Sequence, residues 1–534
     1  MATLTFTSTN GDLLVGSTGN DTFTLKNDAD LDATDTALGQ GGHDKLIVTN
    51  VNSSLTDGQF AGVHNIQELD YGNTVKSVQL TAGADFGAAG FTLVDASLVT
   101  GAVAINALGD TSGHLTLSGG LGDNSLSGSA SNDVFKIRAD TFNSNDFVTG
   151  NGHATPVANG DLANREGDVL QLYETAGSVS IVDTAFVQTG VDTLALAGAA
   201  TFNVTLGANG QAHGIDIVDA SAATGNVTVD VSGRTDATEV LFSGTGLTAT
   251  DKVTGTFGLT TLGITTKAAV LDTAFTQVKG VHTVEVLNNA ATTDYTGAKI
   301  TLGAKSLAAG INKVVNSSDH DLTVDASARM DNFVFLGSIG TDSFIGAQGQ
   351  NTFFAGAGDD ALTLTVAGFN AADTYVGGDG TDALHISSSD GKTAIVDADF
   401  ADLSSVEKLV FDAAGKQNVT LAGNADAMGL ATVDGSKITG GLTLDSSGMA
   451  NDISILMSTG IDTLSIGAGS KVIVASKFLT GADTITGGGG GFSELHFTDA
   501  VKLTDAFFAG LHTNVTNMNV LSFDNTAAGQ SLVA

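Results

Sequence analysis

Short runs of apolar residues, separated by glycine, asparagine and aspartate, follow one another along most of the chain. Between residues 284 and 364 they read VEVL, ITL, KVV, LTVDAS, FVFLG, SFIG, TFFAG and ALTL. Threonine, valine, isoleucine and phenylalanine favour a pleated strand, and glycine or asparagine ends one. Long helical periodicity is absent, and a brief helical turn is predicted in DADFADLSSVEKL, with Phe400, Leu403 and Val406 on one face. The pattern predicts an all-β protein.

A nine-residue unit repeats in register across residues 337–362, as GSIGTDSFI, GAQGQNTFF and AGAGDDAL. The paired glycines are expected to turn the backbone with positive φ, which a Cβ disfavours. Asp342, Asn351 and Asp360 are expected where one turn faces the next, and the apolar residue two places on should point into a core. Such a unit cannot bury its apolar face alone, so neighbouring units must stack.

The same template, GGxGxDxU with U apolar, recurs elsewhere with varying fidelity. It is complete in GGDGTDAL at 377–384. One glycine is missing from GQGGHDKL at 39–46 and from GSTGNDTF at 16–23, and in GGLGDNSL at 119–126 Asn124 stands in place of the aspartate.

A spacing of nine residues also separates pairs of turn residues outside the tandem repeat. GSASNDVF, with Asp133, follows nine residues after the unit of Asn124, and Asp12 precedes Asp21 by nine. In GGGGFSEL, Ser493 replaces the aspartate, so the fold is expected to persist there without an ion. An isolated half-match such as TGIDTL around Asp462 is interpreted as a plain turn.

The polar residues of these turns are hard oxygen donors, which suit Ca²⁺ rather than a soft or imidazole-seeking metal. Chance turns do not keep a nine-residue register with an alternating apolar partner. The sequence therefore predicts a calcium-binding β-roll. The predicted metal-site residues are Asp12, Asp21, Asp44, Asp123, Asn124, Asp133, Gly337, Gly340, Asp342, Gly346, Gly349, Asn351, Gly358, Asp359, Asp360, Gly378, Gly380 and Asp382.

A longer repeat organises the whole chain. A short acidic-aromatic motif occurs around Phe60, Phe186, Phe275, Phe400 and Phe507. Four of the five copies are followed by a T-L-G or T-A-G segment and then by VDAS, VNSS or VDGS. The repeat predicts about four modules and a terminal half module. The predicted boundaries are 1–150, 151–262, 263–376, 377–480 and 481–534, and the last segment is expected to carry an export signal.

Two architectures fit strands at this spacing. One is a parallel β-solenoid with β-roll turns, and the other is a string of immunoglobulin-like β-sandwiches. The nine-residue units favour the solenoid. The segment 151–160 contains the only proline, Pro156, and is the predicted hinge or linker.

The chain is strongly acidic. It has 58 acidic and 21 basic residues among 534, a formal charge of −37, so a metal-free chain repels itself and divalent cations would relieve the repulsion. Nucleic acid is an unexpected partner, because phosphate binding needs basic patches and the sequence shows none. Charged residues make up only 15%, below the roughly 25% of soluble domains, and such a surface docks readily against copies of itself.

Cysteine is absent, which excludes disulfides, thiolate metal sites and a cysteine nucleophile. No apolar run approaches the roughly 18 residues needed to span a bilayer, so membrane insertion is not expected. The first residues, MATLTFTSTNGD, lack the features of a signal peptide. An uncleaved signal near the uncharged NTAAGQSLVA segment is the expected export route.

The common enzyme signatures are missing from the sequence. The sequence contains no HExxH, GxSxG or GxxxxGK[ST] motif, and its ten histidines are scattered singly. Tryptophan is absent and there are four tyrosines, although sugar-binding clefts tend to use stacking aromatics. We therefore predict that the protein is not an enzyme.

One acidic cluster, DADLDATD at 28–35, has the alternate acids of an EF-hand loop. It is not an EF-hand, because Ala33 and Gly39 stand where that loop needs glycine and glutamate. A looser calcium site and a solvated acidic loop are both open.

The nine-residue units resemble those of RTX proteins, which bacterial type I systems export through an uncleaved C-terminal signal. The modules with VDASAATGNVTVDVSG and LGSIGTDSFIG resemble those of bacterial surface-layer proteins. The resemblance implies a secreted structural protein that folds in external calcium and assembles with itself into a two-dimensional S-layer on the cell surface, with lipopolysaccharide or capsule as the implied attachment. The alternative is a secreted RTX-type adhesin or biofilm-matrix protein.

Overall fold

The computed structural model describes residues 2–151, 167–265, 269–288, 298–387, 394–499, 502–524 and 531–533. The predicted hinge at Pro156 lies outside the described residues. The chain forms two compact units. The first contains Met1–Thr266, Thr273–Ala291 and Ala308–Gly310, and the second contains Lys267–Asp272, Thr292–Leu307 and Ile311–Ala534.

The first unit is built from short strands that pair in parallel with strands of neighbouring coils. Its longest ladder contains Thr3–Thr5, Thr22–Leu25, Lys45–Val48, Glu68–Tyr71, Leu93–Asp95, Thr116–Ser118, Val134–Arg138, Val169–Tyr173, Thr193–Gly198, Ile217–Ala223, Thr238–Ser243, Thr260–Thr265 and Thr283–Leu287. The shorter ladders are Leu13–Val15, Thr36–Leu38 and Val63–His64; Asn52–Leu55, Ser77–Thr81, Val103–Asn106, Asn124–Ser127 and Phe147–Thr149; and Ser178–Ile181, Thr201–Thr205, Val227–Asp230, Lys252–Thr254 and Val278–Lys279.

The second unit repeats this arrangement. One ladder contains Lys313–Asn316, Phe333–Leu336, Asn351–Ala357, Thr374–Asp379 and Leu403–Ser404. A second contains Ala269–Val270, Ala298–Thr301, Leu322–Asp325, Ser343–Ile345, Ala361–Leu364, Ala383–Ile386, Lys408–Phe411, Thr432–Asp434, Ser454–Leu456, Lys471–Val474, Glu494–Phe497 and Val520–Phe523. The others are Gln417–Thr420, Leu442–Asp445, Thr463–Ser465, Thr484–Thr486 and Val515–Thr516, and the pair Lys502–Thr504 and Ser531–Val533.

Each unit is therefore a parallel β-solenoid, and the predicted all-β solenoid is confirmed. The strand pairings among the described residues are parallel. The immunoglobulin-like alternative requires antiparallel sheets and does not hold for this part of the chain. The division into five modules follows the sequence repeat and stays a prediction.

Helical segments are short. The α-helices are Ala84–Ala89, Ala208–Ala212, Ala304–Ala309, Gly423–Met428 and Asp505–Leu511. Single turns of 3-10 helix are Asp28–Asp30, Asp57–Phe60, Asp183–Ala185, Asp272–Phe275, Asp397–Phe400 and Ser476–Phe478. None of the helices described by the structure has the length and apolar character that crossing a lipid bilayer requires.

Inward-facing side chains alternate along the strands and stack from coil to coil. In the second unit, the ring of Phe353 stacks on Phe335 and on Tyr375, with centroid separations of 5.0 and 5.1 Å. All three rings are fully buried, whereas the next residue along the chain, Phe354, points outward. This alternation places the intervening polar turns at the corners of the coils.

Candidate metal centre

The aspartates of the nine-residue units lie at coil corners, immediately before a strand. Asp342 precedes Ser343–Ile345 and Asp360 precedes Ala361–Leu364. Their side chains are buried, as are those of the other predicted corner aspartates, Asp21, Asp44, Asp133 and Asp382. Units 18 residues apart share a corner, so Asp342 and Asp360 stack together and Asn351 lies at a different corner.

A ladder of hydrogen bonds links the corners of successive coils. The backbone N–H of Asp342 donates to Asp360 Oδ1 at 2.6 Å, and that of Asp360 donates to Asp382 Oδ1 at 2.8 Å. The N–H of Asp382 in turn donates to Glu407 Oε2 at 2.8 Å. Each carboxylate thus accepts a hydrogen bond from a backbone N–H group of the preceding coil.

The first unit contains the same ladder. The N–H of Asp21 donates to Asp44 Oδ1 at 2.6 Å, and that of Asp44 donates to Gln67 Oε1 at 2.8 Å. Sequence reasoning missed Gln67 and Glu407, because neither belongs to a glycine-rich unit. Their position directly before a strand with alternating buried residues, one coil after a matching turn, is the signal that identifies them.

Among the described aspartates of the nine-residue units, three have one oxygen that receives no hydrogen bond. These oxygens are Oδ2 of Asp44, Asp360 and Asp382, and all three are buried. Burial away from water, with Asp342 and Asp382 nearby, raises the pKa of Asp360 to about 7. Burial likewise raises the pKa of Asp382. A buried carboxylate with one oxygen that has no donor needs a compensating cation to hold its charge at neutral pH.

Backbone oxygens crowd the same corners. A Cβ built on Gly39 would lie 1.9 Å from the carbonyl oxygen of Asn65 and 2.4 Å from Asp44 Oδ2. A Cβ on Gly377 would lie 1.9 Å from the carbonyl oxygen of Ser405 and 2.3 Å from Asp382 Oδ2. Only glycine leaves this space open beside the oxygens.

This donor set fits calcium. Among the described residues, no three side chains of His, Cys, Asp or Glu converge as a metal-binding group. A metal at these corners would therefore combine single carboxylates with backbone carbonyl oxygens, which are ligands of Ca²⁺. Asp44, Asp360 and Asp382 are the side chains that would hold it, and the ion would supply the positive charge that the buried oxygens lack.

The predicted glycines divide into two groups. Gly358, Gly378 and Gly380 have positive φ, of 135°, 112° and 139°, as expected. The expectation of positive φ was wrong for Gly337, Gly340, Gly346 and Gly349, which are not among the residues of positive φ. These four are needed for close approach, because a Cβ on any of them would lie 2.6 Å or less from an atom of a neighbouring turn or coil.

Other predicted residues already have donors. Asp12 accepts from the N–H of Thr7 at 2.6 Å. Asp359 is exposed and accepts from the N–H of Thr381 at 2.8 Å. Asp123 is also exposed. Whether these residues bind metal stays a prediction, as it does for the predicted site residues in general.

Asp462 was interpreted as part of a plain turn rather than a calcium turn, and that interpretation stays a prediction. Its side chain is buried, and Oδ1 accepts from the N–H of Leu442 at 2.7 Å. Its own N–H donates to Asp483 Oδ1 at 2.8 Å. Oδ2 accepts from the N–H of Ser458 at 2.9 Å, so the corner of Asp462 resembles that of Asp342.

The acidic cluster at 28–35 is tied into hydrogen bonds. Asp28 accepts from Ser53 Oγ at 2.9 Å, and Asp35 accepts from the N–H groups of Gly11 and Asp12 at 3.0 and 2.8 Å. These carboxylates connect neighbouring coils.

The acidic-aromatic motifs have a structural role that the sequence did not show. Asp272 Oδ1 accepts from the N–H groups of Gly303 and Ser306 at 2.7 and 2.9 Å, and Oδ2 accepts from that of Lys305 at 2.9 Å. Burial alone would raise the pKa of Asp272, but these donors outweigh it and lower the pKa. Asp57, Asp183 and Asp397 bind in the same way to the starts of the helices at Ala84, Ala208 and Gly423.

Two buried arginines were also missed. Arg234 donates through Nε and Nη2 to the two carboxylate oxygens of Asp236, both at 2.9 Å, and Nη1 donates to the carbonyl of Ile215 at 2.6 Å. Arg329 makes the equivalent fork to Asp331 and a bond to the carbonyl of Ile311. The short R-x-D sequence is the only signal. A guanidinium thus supplies a permanent positive charge inside the coil.

Comparison with known proteins identifies the repeats. The sequence model of the RTX calcium-binding nonapeptide repeat, in four copies, matches residues 6–31, 116–136 and 336–364. No curated protein matches the chain. Nonapeptide repeats of this family bind Ca²⁺, and they are typical of RTX proteins that are secreted to the extracellular space and act as structural proteins or adhesins.

Proposed function

We propose that this RTX-type protein is a structural protein of the cell surface, which assembles with copies of itself into a calcium-dependent two-dimensional layer. The observation that carries the proposal is the position of the calcium-type turns. They lie within the stacked coils of the scaffold, at corners where buried carboxylates link one coil to the next. An ion in such a position controls the shape of the scaffold.

The surface supports self-association. Charged residues make up only 15% of the chain, so few charges must be desolvated when copies meet. The second unit also exposes large apolar side chains at coil corners, among them Ile339, Ile461 and Phe492, which are 66, 63 and 76% exposed. Exposed apolar side chains of this kind favour protein contacts where they form patches.

Calcium would act by mass action on folding. Extracellular calcium modules bind the ion at about 10⁻⁴ to 10⁻³ M. An ion present at 100 times its dissociation constant stabilises the folded state by about 2.7 kcal/mol per site. Several sites would then make external calcium the trigger of both folding and assembly.

Reassembly of the purified protein tests the proposal. The protein is dialysed from EGTA into millimolar CaCl₂, with MgCl₂ as the matched control, and examined by negative-stain electron microscopy. Ordered sheets in calcium alone are the expected result. Monomers in calcium, measured by sedimentation at the same protein concentration, would refute the proposal. A disordered fibrous coat on expressing cells would instead favour the adhesin.

A further inference from the structure

The RTX-like turns fall into three groups with different hydrogen bonding. We name them by the residue that decides their chemistry. The glycine-type turns, in which the second residue is glycine or, at Gln40, a glutamine of positive φ, are 39–44, 355–360 and 377–382; the serine-type turns are 16–21, 128–133 and 337–342; and the asparagine-type turns are 119–124 and 346–351.

We propose that the chain holds calcium at its glycine-type turns, and that hydrogen-bond donors of the chain itself take the place of the ion in the serine-type and asparagine-type turns. The proposal narrows the set of predicted ligands to Asp44, Asp360 and Asp382. It rests on the calcium chemistry of the repeats and not on the formation of a lattice.

In the glycine-type turns the backbone has positive φ at both the second and the fourth position. The residues are Gln40 and Gly42, Gly356 and Gly358, and Gly378 and Gly380. No donor reaches the second carboxylate oxygen of these turns, so Oδ2 of Asp44, Asp360 and Asp382 remains unsatisfied although it is buried. A buried anionic oxygen in this state requires a cation.

In the serine-type turns the second residue is a serine without positive φ, and its N–H points at the aspartate. Ser338 donates to Asp342 Oδ2 at 2.7 Å, and Ser129 donates to Asp133 Oδ2 at 2.6 Å. Ser17 donates to Asp21 Oδ2 through both N–H and Oγ. The other oxygen of each aspartate accepts from the preceding coil. Both carboxylate oxygens are therefore satisfied by the protein.

In the asparagine-type turns the neutral side-chain amide of asparagine occupies the position that the aspartate carboxylate has in the other turns. Asn351 Nδ2 donates to the carbonyl oxygens of Ala347 and Gly349, at 3.0 and 2.9 Å, and to Asp373 Oδ1 of the next coil at 3.1 Å.

Asn124 repeats the arrangement, donating to the carbonyl oxygens of Gly120 and Gly122 at 3.3 and 2.9 Å and to Asp146 Oδ1 at 2.7 Å. Three oxygens of two coils thus converge on one amide nitrogen in each turn. Replacing that nitrogen by an oxygen, as in Asn351→Asp, would place an anionic oxygen against the carbonyl oxygens of Ala347 and Gly349 and against Asp373 Oδ1, and so create a demand for a cation.

Calcium binding by three single variants tests the inference. Bound calcium is measured by equilibrium dialysis on dilute, soluble protein, so that the result is independent of lattice formation, and circular dichroism checks folding. Asp360→Asn should lower the number of bound ions by about one or more, and the matched Asp342→Asn should leave it unchanged. Asn351→Asp should gain about one ion.

Equal loss of calcium in Asp342→Asn and Asp360→Asn would overturn the inference. So would a folded Asn351→Asp that binds no additional calcium. If Asp360→Asn does not fold in calcium, Asn351→Asp decides the question alone. Failure to form sheets, with these titration results intact, would reject the proposed layer and leave the assignment of the turns standing.

Discussion

Asp342 and Asp360 lie one coil apart, and the backbone N–H of Asp342 donates to Asp360 Oδ1 at 2.6 Å. Both side chains are buried, yet they differ in their second oxygen. Ser338 satisfies Oδ2 of Asp342, whereas Oδ2 of Asp360 receives no hydrogen bond. Two copies of one sequence unit, stacked at the same corner of neighbouring coils, therefore have different requirements for a cation.

Removal of calcium should loosen the second unit locally at residues 355–384. The buried, unsatisfied oxygens of Asp360 and Asp382 lose their compensating charge, which costs about 2.7 kcal/mol per site relative to calcium at 100 times the dissociation constant. Hydrogen exchange followed by mass spectrometry, with and without EGTA, measures the change. Added Mg²⁺ is the control and should not restore protection, because it demands a smaller, octahedral site. Identical exchange in EGTA and in calcium would contradict this prediction.

Asp272→Asn should destabilise the second unit by about 1–3 kcal/mol, because a neutral amide is a weaker acceptor for three N–H groups and its NH₂ opposes one of them. The midpoint of thermal unfolding measures the loss. Asp505→Asn is the matched control, since Asp505 belongs to the fifth acidic-aromatic motif but is exposed. An equal change of the unfolding midpoint in both variants would show that the helix contacts of Asp272 do not stabilise the protein.

The contribution of Asp272 should depend on pH in a defined direction. The N–H donors lower the pKa of the folded carboxyl below its usual value of 3.8, so the stabilisation is complete above that pH and is lost as the pH falls through the lowered pKa. The difference in unfolding midpoint between wild type and Asp272→Asn should be constant near neutral pH and narrow below about pH 4. If the difference in unfolding midpoint instead grows on acidification, the ionised form of Asp272 is not the stabilising one and the explanation is excluded.

Phe353→Ala should destabilise the second unit by about 3–5 kcal/mol, because it removes the central ring of the stack between Phe335 and Tyr375 and leaves a cavity. Chemical denaturation followed by circular dichroism gives the value. The neighbouring Phe354→Ala is the control, since that ring is 46% exposed, and it should change stability by about 0.5 kcal/mol or less. Similar losses in both variants would mean that the alternation does not define the core.

Much of the fold follows from periodicity. The nine-residue register of 337–362 predicts stacked coils because two units close one coil of 18 residues, and Phe353 and Leu362 are buried as their positions require. The brief helical turn expected in DADFADLSSVEKL is present as a 3-10 turn at Asp397–Phe400, but the predicted helical face with Leu403 and Val406 was wrong, because Leu403–Ser404 is a strand. The helices at Ala84, Ala208, Ala304 and Gly423 were not predicted, since five or six residues are too few to show a helical period.

The corners were harder to predict, because their chemistry depends on the next coil. The unit of Asp342 and that of Asp360 have nearly the same sequence pattern, and the difference between serine and glycine at the second position became informative only when φ and the N–H direction were known. Glu407 lies 25 residues from Asp382 and in no repeat unit, so spacing within the sequence could not connect them. The same is true of Asp272 and its contacts 31 to 34 residues away.

The hydrogen bonds of a parallel solenoid run from each coil to the next, so they also determine how the molecule bears force. Tension that separates two coils acts along these bonds and is shared by every strand ladder that crosses the interface. At the start of the helix that begins at Ala304, three backbone N–H groups donate to Asp272, and these hydrogen bonds bear part of the same tension. Such interfaces resist tension more strongly than the others, and coils that lack these additional hydrogen bonds will separate first.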